Sequence, residues 1–166
     1  LNESVIQAWD MLKETDVQLI WQTGKYYEKE MQAFLQEHPT KNIWQGAFIE
    51  RMDYAYEAAT VVVSRSGACS VSELCLVGKP TLFIPSPNVA EDHQTHNAMA
   101  LVRKGAAEIV KDAEATAKTF EVVEQMVEDE ARLATLAHNI RTMAIADSAE
   151  RVAKVVMEEL KIQNWR

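Results

Sequence analysis

Cysteine is scarce in this chain, and the two it has, Cys69 and Cys75, lie six apart in what reads as one helix. That spacing fits neither a zinc knuckle nor a redox pair, so reduced thiols in a cytosolic protein are expected. Basic residues are also in deficit: 17 Lys and Arg stand against 25 Asp and Glu, for a formal net charge of −8. A broad electrostatic grip on nucleic acid or on anionic lipid needs clustered positive charge, so any phosphate bound here must be held locally. No apolar run approaches the roughly 18 residues that span a bilayer, and the start of the chain lacks the basic and apolar regions of a signal peptide. There is no internal repeat or low-complexity tract. With 166 residues, 48% of them hydrophobic and 25% charged, one sizeable core is within reach and disorder is not expected.

What the chain does have is alternation. Val5, Ile6, Trp9, Met11 and Leu12 recur at helical spacing, and a β-branched run from Val17 to Gln22 ends in Thr23-Gly24. The spacing then predicts helix over Tyr26 to His38, strand over Asn42 to Phe48, helix over Met52 to Ala59, and a nearly pure valine strand over Thr60 to Ser64. Ala68 to Val77 reads as helix, Thr81 to Ile84 as a strand stopped by Pro85, Asp92 to Lys104 as a helix ending on Gly105, and Ala107 to Val110 as a last strand. Three helices follow, near Ala113 to Asp129, Ala131 to Ala144 and Ser148 to Ile162, the last capped by Asp147-Ser148. Strands alternating with helices predict an α/β fold, a Rossmann-like doubly wound parallel sheet with a helical C-terminal tail, in a single domain over residues 1–166. Continuous apolar strands such as Thr60 to Ser64 are expected to be buried on both faces.

Chemistry gathers between Ser64 and Asn97. The valine strand runs into Arg65-Ser66-Gly67 and then a helix, so the backbone N–H groups of Ala68 to Ser70 sit at a positive helix terminus that suits a phosphate. Gly67 permits a tight turn and close approach of ligand to backbone, and Ser66 and Ser70 offer hydroxyls. The same fragment also suits an ordinary serine-capped turn. Glu73 lies one helical turn on, where a carboxylate can accept from the two hydroxyls of a ribose, or simply be an exposed residue favoured by the dipole. Asp92-His93-Gln94-Thr95-His96-Asn97 opens the helix after the next strand, on the same sheet edge, where amides and imidazoles can read sugar hydroxyls; a merely polar helix start fits as well. Pro85 to Glu91 is the longest irregular stretch and a candidate binding loop. His93 and His96 are three apart with no third ligand in sight, so no metal is expected. His38 and His138 read as surface helix residues.

These segments, in this order, closely resemble the C-terminal domain of the MurG family of bacterial transferases, glycosyltransferase family 28. The resemblance spans nearly the whole chain. It rests on Phe48-Ile49 after the second strand and on an Arg-Ser-Gly-Ala-x-Thr/Ser-Val-Ser/Ala-Glu segment, here Arg65, Ser66, Gly67, Ala68, Cys69, Ser70, Val71, Ser72 and Glu73. It continues with Gly78 to Pro85, with an Asp-x-Gln-x-x-Asn helix start at Asp92 to Asn97, and with Ala149 to Ala153 as the closing helix. It implies the C-terminal half of a GT-B enzyme, whose two Rossmann-like domains face each other across a cleft, and an inverting transfer of N-acetylglucosamine from UDP-N-acetylglucosamine to lipid I in peptidoglycan synthesis.

Carried over residue by residue, the resemblance implies that Ile49 pairs with uracil through its backbone and Phe48 packs near the base. Ala68 to Ser70 would lie along the diphosphate, Glu73 would hold the ribose, Gln94 with His93 would contact the sugar, and Asn97 would support the helix start. Cys69 stands where the family usually has an aliphatic residue, Ser70 where threonine is common, and His93 where glutamine occurs. The chain opens at Leu1 without an initiator Met and reads as a piece of a longer protein. The family's glycine-rich phosphate loop is expected just before Leu1, and the acceptor site and catalytic base in an N-terminal domain, so no catalytic residue is expected in this chain. No cofactor, no metal and no nucleic-acid partner are expected. The resemblance implies a cytoplasmic location, peripheral at the inner face of the cell membrane, with membrane contact made elsewhere than through this domain. Two other readings stay open: the UDP-sugar half of another GT-B enzyme, such as a lipid glucosyltransferase or a UDP-N-acetylglucosamine epimerase, and a non-catalytic nucleotide-binding domain.

Overall fold

A computed structural model describes residues 1–160. The first helical segment is split at Ala8 into α1 (Asn2–Gln7) and α2 (Trp9–Glu14), yet Val5, Trp9 and Leu12 still share one buried face. They pack with Trp21 of β1 (Leu19–Gln22) and Met31 of α3 (Glu28–Glu37). Asn2 fastens α1 to the end of β1: its Oδ1 accepts from Trp21 Nε1 at 3.0 Å and its Nδ2 donates to the Thr23 carbonyl at 3.1 Å. β2 (Ile43–Gly46) pairs parallel with β1, Leu19 opposite Ile43 and Gln22 opposite Gly46.

Beyond α4 (Met52–Ala58), the strands β3 (Val62–Ser64), β4 (Thr81–Phe83) and β5 (Glu108–Ile109) form a second parallel sheet in the order 3-4-5. Parallel neighbours need crossover connections, and α5 (Ala68–Val77) and α6 (His93–Val102) supply them. Successive residues of a strand point to opposite faces, and β4 shows the result. Phe83 packs with Leu74, Cys75, Ala98, Leu101 and Ile140, whereas Leu82 packs with Ile84, Val110, Ala115, Met126 and Leu136. Both faces of this sheet are therefore covered, one by α5 and α6 and the other by α7 (Asp112–Glu128). The helix α8 (Glu130–Thr142) serves both clusters, with Leu136 in one and Ile140 in the other.

The parallel α/β architecture is as expected, with two differences. The five strands fall into two hydrogen-bonded sheets, β1-β2 and β3-β4-β5, with no ladder between β1 and β3 among the described residues. The valine strand is also only half-buried, because β3 is the end strand of its sheet; β4, in the middle, is the one buried throughout. Gly78 stops α5 in the left-handed region, φ 71°, so the backbone favours glycine; a Cβ there would lie 2.5 Å from Arg141 Nε of α8, an exposed side chain that would have to shift. Asp129 caps α8 by accepting from the Arg132 N–H at 2.9 Å. Asp147, expected to cap α9 (Ser148–Glu159), makes no such bond and pairs with Arg151 at 2.8 Å. No residue of α9 is buried; the expected helix end at Ile162 lies outside the described residues.

Candidate functional site

The carboxyl ends of β3 and β4 carry the site, and its floor is a set of inward hydrogen bonds. Ser66 is fully buried, and its Oγ donates to the Gln94 carbonyl at 2.8 Å while its own carbonyl accepts from Asn97 Nδ2 at 3.0 Å. Gln94 in turn accepts the Ser86 N–H on Oε1 at 2.9 Å, which pins the start of the proline loop to α6. Arg65 Nη1 donates to the carbonyls of Ile84 (3.0 Å) and Pro85 (3.1 Å) and to Asp112 at the start of α7. Arg65 Nη1, Ser66 Oγ and Asn97 Nδ2 thus join β3, β4, α6 and α7. Gln94 spends only its oxygen this way, and its Nε2 makes no bond among the described residues.

Above this floor lies the open N-terminus of α5. Gly67 is its N-cap, no side chain caps it, and the N–H groups of Ala68, Cys69 and Ser70 have no partner among the described residues. Orphan donors and the helix dipole make this a place for negative charge. Gly67 has an ordinary φ of −62°, and a Cβ on it would meet nothing nearer than Ser70 Oγ at 3.9 Å. The glycine is therefore required neither by the backbone nor by the chain's own packing; what it leaves is open space beside the free N–H groups. Val71 packs inward on the Leu74–Phe83 cluster, whereas Cys69, Ser72 and Glu73 are exposed. Cys75, one turn deeper, is buried, and burial pushes its thiol up.

Glu73 has a partner that spacing did not reveal. Tyr56 of α4 donates its hydroxyl to Glu73 Oε2 at 3.2 Å. Burial, and then the Glu73 charge, push the phenol up to about 12, so it stays a donor. On the other flank Phe48 is 69% exposed, and the Ile49 N–H donates to Gln22 Oε1 at 3.0 Å. Among the described residues no hydrogen bond joins Phe48 or Ile49 to the network of Arg65 to Asn97; α4, which follows Ile49 and carries Tyr56, links them. Gln22, Tyr56 and Asp112 are not legible in the sequence as site residues, since each meets a residue on another element; Ser86 lies in the loop Pro85 to Glu91, which is legible as a candidate binding loop.

The entry to α6 differs from expectation. Asp92 does not cap the helix backbone: its Oδ1 accepts from Thr95 Oγ1 at 2.7 Å, and the short 3-10 turn Ala90–Asp92 precedes α6. Glu91 (φ 53°) and Asp92 (φ 51°) are both left-handed, a conformation that costs a non-glycine residue on the order of 1 kcal/mol or more. Strain of this kind persists where surrounding bonds fix it, and the bonds of Gln94 and Ser66 stand beside it. His93 and His96 are exposed at this entry. Among the described residues, no group of three or more His, Cys, Asp or Glu side chains is placed to hold a metal ion.

A Rossmann-like parallel α/β domain with an open helix N-terminus and a polar cluster at the ends of two adjacent strands is the class that fold and site define. The chain belongs to the glycosyltransferase family 28 C-terminal domain family, whose model matches residues 1–152. It is 46% identical over 158 residues, 95% of this chain, to a Parabacteroides distasonis protein named UDP-N-acetylglucosamine–N-acetylmuramyl-(pentapeptide) pyrophosphoryl-undecaprenol N-acetylglucosamine transferase. A Porphyromonas gingivalis protein of the same name is 46% identical over 163 residues, 96% of this chain. The chain spans 43% of the length of each of these curated relatives. Among solved structures, the crystal structure of Acinetobacter baumannii MurG superimposes with a TM-score of 0.79 at 30% identity, covering 95% of this chain and 46% of that one.

Proposed function

We propose that this chain is the donor-binding half of an inverting transferase that moves N-acetylglucosamine from UDP-N-acetylglucosamine to an undecaprenyl-linked N-acetylmuramyl acceptor, lipid I, giving lipid II of peptidoglycan. The observation that carries it is the N-terminus of α5: three N–H groups with no partner among the described residues, a glycine whose missing side chain serves nothing in the fold, and Glu73 on the same helix. The diphosphate lies along Ala68 to Ser70, the ribose hydroxyls donate to Glu73, and the base lies by Phe48 and Ile49. Gln94, with its oxygen already bonded to Ser86, offers the sugar an N–H donor, and His93 stands beside it.

The chemistry follows from that arrangement. The acceptor hydroxyl attacks the anomeric carbon, the bond to the diphosphate breaks, and UDP leaves with the bonding electrons. Negative charge grows on the diphosphate during that step, and preorganised N–H donors at a helix terminus stabilise it without reorganising. The acceptor site and the base that takes the hydroxyl proton belong to the other half of the enzyme, which works at the inner face of the cytoplasmic membrane. By itself this chain binds the donor and transfers nothing. Calorimetric titration with UDP-N-acetylglucosamine tests the reading: Glu73→Ala is expected to weaken binding about tenfold, the low end for a charged hydrogen-bond acceptor because the site is exposed. Equal affinity for both proteins would sink the ribose assignment.

A further inference from the structure

Glu73 is exposed on α5, and a free glutamate there must be ordered by the ligand before it can accept from two hydroxyls at once. In this structure it is already held. We propose that Tyr56 is the positioning residue for Glu73: its hydroxyl fixes one carboxylate oxygen so that the other is presented to the ribose, and α4, which follows Phe48-Ile49, is thereby tied to the ribose contact. The inference rests on the reading of Glu73 as the ribose ligand.

Three observations carry it. The Tyr56 hydroxyl donates to Oε2 at 3.2 Å, while Oε1 has no partner among the described residues and keeps its lone pairs for a diol. The ring is no loose donor, because it packs against the buried cluster of Leu74, Cys75 and Phe83. Finally, α4 buries no residue fully, and Lys79 Nζ, which donates to the Glu57 carbonyl at 3.0 Å, ties it only to the turn between α5 and β4. Tyr56 therefore connects the base-proximal segment to the ribose carboxylate through one rigid side chain. Burial, and then the Glu73 charge, keep the phenol protonated around neutral pH, so the donor persists there.

The test is calorimetric titration of this chain with UDP and with 2′,3′-dideoxy-UDP, on the wild type, Tyr56→Phe, Glu73→Ala and the double variant. Phenylalanine keeps the ring and its packing and removes only the hydroxyl. Tyr56→Phe is expected to weaken UDP about three- to tenfold, to leave dideoxy-UDP unchanged, and to add no further loss on the Glu73→Ala background. Equal losses for both nucleotides would mean that Tyr56 only holds α4 in place, and unchanged UDP affinity would mean that it holds nothing that matters; either overturns the proposal while leaving Glu73 as the ribose ligand. A wild type that binds both nucleotides equally, or binds neither, removes the ribose reading and this inference with it.

Discussion

Gly67 is the residue whose replacement separates binding from folding most cleanly. Its φ of −62° is open to any residue, and the nearest atom to a Cβ would be Ser70 Oγ at 3.9 Å. Alanine is a poorer N-cap than glycine but loses less backbone entropy on folding, so Gly67→Ala is expected to change stability by less than about 1 kcal/mol. The methyl group would stand in the approach to the N–H groups of Ala68 to Ser70, and UDP affinity is expected to fall at least about tenfold, a cost typical of losing a charged hydrogen bond. Unchanged affinity in a calorimetric titration would show that the diphosphate does not lie there. Gln22 supports an opposite prediction. Its Oε1 occupies the Ile49 N–H, the group proposed to meet uracil, so the base must displace this amide. Gln22→Ala removes the competitor, and since an exposed neutral hydrogen bond contributes about 0.5–1.5 kcal/mol, UDP binding is expected to tighten about two- to tenfold while pyrophosphate binding stays the same. Weaker UDP binding would instead make the amide part of the base contact.

Between elements, the junction of the β3–α5 turn with α6 decides where Gln94 stands. Ser66 is fully buried and donates to the Gln94 carbonyl. Ser66→Ala is expected to cost about 1–2 kcal/mol in thermal or urea unfolding, speed amide exchange in residues 93–97, and narrow the preference for UDP-N-acetylglucosamine over UDP. Full stability with an unchanged preference would show that the junction does not set the sugar contact. Elements written in local pattern were legible: β4 ahead of Pro85, α5 over Ala68 to Val77, and the Gly105 turn after α6 all follow from apolar runs and from proline and glycine chemistry. So was the placing of Arg65 to Glu73 beside Asp92 to Asn97, because consecutive parallel strands put their carboxyl ends on one edge. What stayed hidden is tertiary. Alanine favours helix, so the break at Ala8 is not a matter of local propensity. The left-handed Glu91 and Asp92 need surroundings that hold them, and the pairs Gln22–Ile49 and Tyr56–Glu73 join residues 27 and 17 apart in sequence. The half-exposure of β3 depends on what pairs with its outer side, which valine content cannot tell.

At the scale of the molecule, β1 and β3 are each the end strand of their sheet, and α9 leaves Val152, Val155, Val156 and Leu160 exposed on one helix. An apolar stripe at that spacing could be taken for a membrane-surface helix, and the charge distribution decides the matter. Helices that lie in an anionic interface carry Lys and Arg on the polar face, whereas α9 carries Glu150, Glu158 and Glu159 alongside Arg151 and Lys154. The whole chain adds repulsion, with a net charge of −8 at pH 7 and a sequence pI of about 5.0. No helix among the described residues is long and apolar enough to cross a membrane. At pH 7 and about 150 mM salt, where charges are screened over roughly 8 Å, the chain is expected to stay in the supernatant when phosphatidylglycerol vesicles are pelleted. Protonation of carboxylates makes the net charge positive only below the pI, so vesicle binding is expected to appear below about pH 5 and to be reversed by salt. Salt-resistant pelleting at pH 7 would make α9 a membrane contact of this chain; its absence would leave any membrane contact of the proposed transferase outside this chain.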